Sequence, residues 1–455
     1  MTPVDENRTE RVDRLDGVHA WHPFTQMSEH RAHPRLFIER GEGCWLYDTE
    51  GNRYLDGNAS IWTNVHGHND PDLNAALVGQ LERIAHSTTL GLAHPTGTRL
   101  SEKLASIAPE GLQRVFYSDN GSNAVEIALK LSFQYWQLAG QPEKTGVIAL
   151  NGAYHGDTFG TMSVGDSGGF HGRFSPWCFP ADRVPAPVCD EAGGIVHASD
   201  MSASLARLDE LLAEKAATTA CLIMEPWVQG SAGMRLQPRG FLKEVAARCR
   251  RAGVHLILDE VFVGFGRVGP MLVCREEGVE PDFLCLAKGL TAGYLPLAAT
   301  LTTEAVFEAF LGRFEEYKAF YHGHTFTGNP LGAAVAHKSI EKIEARMADG
   351  RHAETLAAFE AAVLNYGLGS GLFPVVRQRG LLAALELPAR PVAERTGLKV
   401  ALEARKHGLI ARALGDTLLV VPPLVISSDE IEFLFQQLTR ATQIVLNASP
   451  SPTGA

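Results

Sequence analysis

From about residue 72 the chain reads as short, continuously apolar runs separated by longer stretches whose apolar side chains recur every three or four positions. The runs fall at 114–118, 146–150, 220–225, 255–260, 283–287 and 297–302. Between the first two, residues 123–138 set Val125, Ile127, Ala128, Leu131 and Tyr135 on or near one face of a helix, and 238–252 predicts another helix. Apolar strands alternating with amphipathic helices predict an α/β fold, a mostly parallel sheet wrapped by helices. Residues 40–56 follow a different rhythm, apolar and polar in turn around two glycine-bearing turns, and predict small antiparallel strands. After about residue 330 the pattern resets to a helix over 333–347 and strands near 380–387 and 416–421, a smaller α+β unit. The organisation expected is 1–72 as an N-terminal segment packing with the small domain, 73–330 as the large domain, and 331–455 as the small C-terminal domain. The first 17 residues and the last nine, polar, charged or small, predict frayed tails.

Composition narrows the class. Hydrophobic residues at 45% and charged residues at 20% exclude general disorder. A formal net charge of −11 argues against nucleic acid as a partner. The seven cysteines are odd in number and scattered, with no Cys-x-x-Cys, so neither a disulfide framework nor a thiolate zinc site is expected. The N-terminus has no apolar core of a signal peptide, and no run of about 18 apolar residues occurs, so a soluble cytoplasmic protein with no membrane partner is expected.

Several motifs offer chemistry. Gly264, Gly266 and Gly269 spell G-x-G-x-x-G, but Pro270 follows where a helix should open, and a glycine-rich loop is the better reading than a dinucleotide site. The pairs His66/His68 and His322/His324 lack a companion ligand set, so no metal site is expected. Between a strand and a helix lies Asp119-Asn120-Gly121-Ser122, where free N–H groups and the helix dipole attract an anion; alone, this is an ordinary N-cap. Asp259 ends an apolar strand, at the edge where α/β sheets place functional groups. Lys288 ends another, where partial burial depresses the amine's pKa and makes it nucleophilic. Anion turn, strand-end acid and semi-buried lysine together suit pyridoxal 5′-phosphate, whose phosphate, pyridine nitrogen and aldehyde need these three groups. Tyr154 would give the ring an aromatic face.

The strings carrying these residues resemble the class III aminotransferases of PLP fold type I: SDNGS at 118–122, YHGDT at 154–158, EP at 225–226, LDEVFVGFGRVG at 258–269 and LAKGL at 286–290. WHPFTQM at 21–27, FQYW at 133–136, GDTFGTMSVG at 156–165, GYLPLAATLTT at 293–303 and HGHTFTGNP at 322–330 are similar to the branch that makes 7,8-diaminononanoate in biotin synthesis. The resemblance spans about 21–423. It implies a seven-stranded central sheet in a pyridoxal-phosphate-binding large domain. It further implies that Lys288 bonds the cofactor and moves the substrate proton, that Asp259 holds the pyridine nitrogen protonated, and that Tyr154 stacks on the ring. Gly121 and Ser122 would bind the phosphate, with Thr325 reaching it from the partner subunit of a homodimer. Glu225 and Gln229 would neighbour the cofactor's hydroxyl side. Phe24, Trp62, Asp157 and Arg267 would line the substrate pocket, and Arg412 would take the acceptor's carboxylate. The implied reaction is transamination of 8-amino-7-oxononanoate with S-adenosylmethionine as donor; lysine as donor, or a general ω-amino-acid or diamine transaminase, are the alternatives. Two positions depart from the branch, Phe24 replacing a tyrosine and Ile61-Trp62 replacing a tryptophan pair, both on the surface that meets the amino donor.

Overall fold

A computed structural model describes residues 8–189 and 198–448. Its centre is a seven-stranded sheet in the order Arg114–Ser118, Ala298–Thr302, Phe283–Leu286, His255–Asp259, Thr219–Met224, Gly146–Leu150 and Asp182–Val184. The strand Ala298–Thr302 runs antiparallel to both neighbours, and the other pairs are parallel. The inner strands are buried along their whole length, which is why they read as unbroken apolar runs. Six of the strands match the runs seen in the sequence to within a residue or so. The seventh, Asp182–Val184, gave no sequence signal, being three residues long with Pro185 and Pro187 after it.

The helix Gly121–Leu138 packs on this sheet through Ala124, Val125, Ile127, Ala128 and Leu131. It begins two residues earlier than the apolar period suggested, because Asn120 caps it by accepting from the Asn123 N–H at 3.0 Å. Two four-stranded sheets lie outside the central one. In the first, Ile38–Glu42, Trp45–Asp48 and Arg53–Asp56 are antiparallel neighbours, and the C-terminal strand Leu409–Ile410 adds parallel to Arg53–Asp56. The second joins Val375–Gln378, Ala383–Glu386, Arg412–Leu414 and Thr417–Val420.

The N-terminal tail departs from expectation. Residues Arg8–His19 form a helix that buries no side chain. Arg35 pairs with Asp13 at 2.6 Å and with Asp16 at 3.1 Å, so polar contacts from outside the segment hold it against the body. Of the C-terminal tail, residues 449–455 lie outside the described residues. No helix among the described residues is long and apolar enough to cross a membrane.

Candidate active site

Chain direction makes the site. The parallel strands share their carboxyl edge, so the residues that follow them converge above it: Gly121 and Ser122, Tyr154, Glu225, Asp259 and Lys288. These six, with Trp62, line one cavity of about 450 Å³.

The anion end is built by close packing. Asn120 caps only the Asn123 N–H, so the amides of Gly121 and Ser122 begin the helix without intrahelical partners. A Cβ on Gly121 would sit 2.7 Å from Val261 Cγ1, and one on Gly156 would sit 1.9 Å from Ser122 Oγ. Only glycine therefore leaves this turn open.

At the opposite end, Asp259 is buried and accepts from His155 Nδ1 at 2.7 Å and from the Val261 N–H at 3.1 Å. His155 was not among the residues singled out from the sequence. The motif YHGDT contains it, but nothing local says that it meets an aspartate 104 residues away. Its Nε2 is buried and has no partner among the described residues. Glu225, also buried, accepts from the N–H groups of Tyr154 and Gly230 at 3.1 and 3.0 Å. Burial pushes its carboxyl up to about 7; nearby His155 opposes the shift and the Asp259 charge adds to it.

Because the native carboxyl holds its proton to higher pH than the unfolded one, the native state binds more protons between about pH 4.5 and 7. Stability from Glu225 is therefore present at low pH and is lost as the pH rises through that window. The variant Glu225→Gln is expected to gain melting temperature over the wild-type apoprotein progressively from pH 4.5 to 7 and then hold level. A difference independent of pH would contradict the buried, raised carboxyl.

Lys288 closes the constellation. It takes a left-handed backbone conformation, φ 44°, directly after its strand, a strained geometry that recurs where a side chain must be aimed. Its Nζ lies 5.3 Å from the Trp62 ring centroid and 5.6 Å from that of Phe262. Burial holds the amine below the ordinary lysine range, with the charges of Asp259 and Glu225 pulling the other way. Trp62 arrives on a turn whose four residues, Ala59 to Trp62, all have positive φ. Asp56 braces this turn, accepting from Ser60 Oγ and His68 Nε2, each at 3.0 Å, and from the Asn58 N–H.

Other expected site residues lie elsewhere. Asp157 and Arg412 stand beside Tyr154: Asp157 accepts from the Tyr154 hydroxyl at 3.1 Å, and Arg412 is close enough for the phenol to bear on its pKa, which burial lowers. The Arg412 side chain makes no hydrogen bond or ion pair among the described residues. Arg267 does not reach the cavity. It is fully buried, its Nη1 donating to the carbonyls of Leu381 and Pro422 at 3.1 and 2.6 Å, and burial lowers its pKa to about 9. It therefore ties the glycine loop to the C-terminal residues. Gln229 is likewise buried off the wall, its Nε2 donating to the Asn151 carbonyl at 3.0 Å. Phe24 is exposed, edge-on to Phe170 at 5.9 Å, and Thr325 is exposed on a loop outside this chain's cavity. The glycine loop at 264–269 is turns, and the single helical turn after it, Val273–Glu276, has its amides taken by Glu260, which accepts from Val273 and Cys274 at 2.7 Å each.

The histidine pairs have protein partners. His66 meets Ser339, His68 meets Asp56 and Asn64, and His322 meets Lys130, while His324 Nδ1 accepts from the Phe326 N–H. One other group, Asp16, His22 and His30, brings three ligand atoms within 4.8 Å, but the Arg35 guanidinium already occupies Asp16.

A profile of the aminotransferase class-III family matches residues 26–442. The chain belongs to the class III aminotransferases. The adenosylmethionine-8-amino-7-oxononanoate aminotransferase of Geobacter sulfurreducens is 45% identical over 451 residues, covering 96% of this chain and 98% of that one. The enzyme of the same name from Aquifex aeolicus is 42% identical over 436 residues, 94% of this chain and 96% of that one. Among solved structures, the adenosylmethionine-8-amino-7-oxononanoate aminotransferase of Methanocaldococcus jannaschii superposes with a TM-score of 0.90 at 38% identity, covering 96% and 99% of the two chains. An amine transaminase from an uncultivated Pseudomonas species, in its PLP-bound form, reaches 0.83 at 33% identity, covering 93% and 98%. Pyridoxal phosphate is thus the cofactor of this class III aminotransferase, and the cavity fits it. The glycine turn leaves an anion cradle that any Cβ would fill, and the lysine amine and the buried carboxylate face the same space.

Proposed function

We propose that this aminotransferase transfers an amino group to 8-amino-7-oxononanoate, giving 7,8-diaminononanoate in biotin biosynthesis, with S-adenosylmethionine as the donor. The observation that carries this reading is the 45% identity over nearly the full length of both chains to an enzyme named for that acceptor and donor.

Bound in the cavity, pyridoxal phosphate supplies an aldehyde that takes up the amine and a pyridinium ring that draws electrons from the amine's α-carbon. The chain supplies the rest. Lys288, its amine held below the ordinary lysine range by burial, is the base that lifts the α-proton and later returns one to the acceptor carbon. Asp259, fixed by His155 and the Val261 N–H, holds a proton on the pyridine nitrogen. The amides of Gly121 and Ser122 take the phosphate, and Tyr154 and Trp62 shape the walls. Arg412, with no ion-pair partner among the described residues, takes the carboxylate of the substrate through its planar fork.

The same reading makes the enzyme a homodimer. Thr325, in the position of a phosphate ligand, is exposed on a loop away from this chain's cavity, and Leu90, Leu92, Phe314 and Phe326 are exposed as well. A second copy would cover such residues and bring Thr325 to the neighbouring site, and equilibrium sedimentation would show a dimer.

The test is turnover of 8-amino-7-oxononanoate by the purified holoenzyme, with S-adenosylmethionine and lysine offered separately. Brisk amination of pyruvate or 2-oxoglutarate without amination of 8-amino-7-oxononanoate would instead assign a general ω-transaminase. With Arg412→Ala, KM for the carboxylate-bearing acceptor should rise roughly ten- to a hundredfold, the loss of one charged hydrogen-bonding contact of about 1.5–3 kcal/mol. A simple amine lacking a carboxylate should be converted at nearly the wild-type rate. Equal damage to both would count against a carboxylate at Arg412.

A further inference from the structure

The segment 166–177 crosses the surface beside the cavity, and most of its large side chains point outward: Phe170 is 54% exposed, Phe174 50% and Trp177 79%. His171 is the exception, with a side chain 11% exposed. Its ring lies nearly parallel to that of Tyr154, with centroids 5.8 Å apart and an interplanar angle of 24°. Its Nε2 is 2.9 Å from Asp157 Oδ1. A carboxylate only accepts, so the imidazole N–H donates. The other carboxylate oxygen, Oδ2, accepts from the Tyr154 hydroxyl at 3.1 Å. Tyr154, Asp157 and His171 therefore form a chain of two hydrogen bonds that ends on a residue lining the cavity.

This arrangement fixes which way the phenol proton points. With its hydrogen committed to Asp157, the Tyr154 oxygen can offer only lone pairs to anything else that approaches. Burial and the Asp157 charge both keep the phenol protonated. Asp157 itself has a half-exposed side chain, and apart from Tyr154 and His171 no group among the described residues bonds its carboxylate; its own N–H makes only a long 3.4 Å contact to Ser122 Oγ. Without a second anchor such a carboxylate would sample several rotamers. His171 is that anchor.

We propose that His171 is a positioning residue for amine recognition: it holds Asp157 so that the Tyr154 hydroxyl presents an acceptor to the ammonium group of the substrate. This rests on the aminotransferase reading above and adds a residue and a role to it. The substrate class is an amine entering as ammonium, which both the Asp157 charge and the phenol lone pair attract. Arg412, near enough to Tyr154 to feel its charge and with no side-chain ion pair among the described residues, draws a carboxylate, so zwitterionic substrates meet both charges near the phenol.

The test compares His171→Ala, His171→Gln, Asp157→Ala and the double variant His171→Ala/Asp157→Ala as holoenzymes. His171→Ala should raise KM for the amine roughly tenfold, the worth of one hydrogen bond to a charged group, with kcat within a factor of about two. His171→Gln, whose amide N–H can reach Asp157, should recover most of that loss. In the Asp157→Ala background, His171→Ala should add less than a twofold change, because it acts only through the carboxylate. Equal, additive losses in the two backgrounds, or kcat falling with no change in KM, would overturn the proposal. Wild-type enzyme inactive on 8-amino-7-oxononanoate would sink the substrate assignment alone. The same comparison then runs on the half-reaction with S-adenosylmethionine or lysine, whichever converts the cofactor to its amine form. A readout free of turnover is the crystal structure of His171→Ala, in which the Tyr154–Asp157 bond should open. Its retention near 3.1 Å would contradict the positioning role.

Discussion

Holoenzyme carrying Lys288→Ala is expected to lose the visible absorbance of lysine-bound cofactor and all measurable turnover. The reason is geometric as much as chemical. Glu225 and Asp259 on the neighbouring strand ends are acids, and Lys288 is the one lysine lining the cavity among the described residues. Nothing else present can both bond an aldehyde and act as a base at the carbon next to it. The side chain is anchored by packing on Trp62 and Phe262 and by no hydrogen bond among the described residues, so truncation should not unfold the protein. Thermal melting of the apoprotein within a few degrees of wild type would show this. Cofactor added to the variant should still bind through the glycine turn and through Asp259, and should leave on gel filtration more readily. A surviving absorbance band or surviving turnover would remove Lys288 from its assigned place.

The second large effect is expected from Asp259→Asn. The substitution keeps the shape: the amide oxygen can take the Val261 N–H that Asp259 Oδ1 accepts, while the NH2 in place of Oδ2 donates to His155 Nδ1 once that nitrogen is the unprotonated one. It removes the negative charge proposed to hold a proton on the pyridine nitrogen. Turnover should fall on the order of 10²–10³-fold, the scale set by deleting a fixed electrostatic stabiliser in a site that excludes water. Apoprotein stability should be unchanged or slightly higher, since a buried charge is costly unless fully paired. Single-turnover conversion of the bound cofactor by the amino donor measures the chemical step directly. A fall smaller than tenfold would mean that His155 or another group supplies the electrostatics.

The strand ends proposed for catalysis were legible because of where they sit. Asp259 and Lys288 terminate runs buried on both faces, so a charged residue there stands out against its strand. Gly121 and Ser122 were legible as a strand-to-helix turn. His155 was not, since its partner is 104 positions away and neither residue advertises the other. Arg267 and Gln229 mark the opposite limit. Their strings matched a pocket, but both side chains are buried in the body, where Arg267 Nη1 and Gln229 Nε2 donate to backbone carbonyls. The helix Arg8–His19 escaped notice because it has no apolar stripe to read; what orders it is Arg35, which meets Asp13 and Asp16 from beyond the segment. The parallel sheet itself was the clearest feature, and the short edge strand Asp182–Val184 the faintest.

The pairing of Leu409–Ile410 with Arg53–Asp56 has a consequence for how the chain is made. The strands at 38–56 leave the ribosome early, yet the strand that completes their sheet follows about 350 residues later. At synthesis rates of about 5–20 residues per second, that is a delay of roughly 20–70 seconds. During this interval an unfinished sheet edge faces the cell, long enough for chaperones to find it.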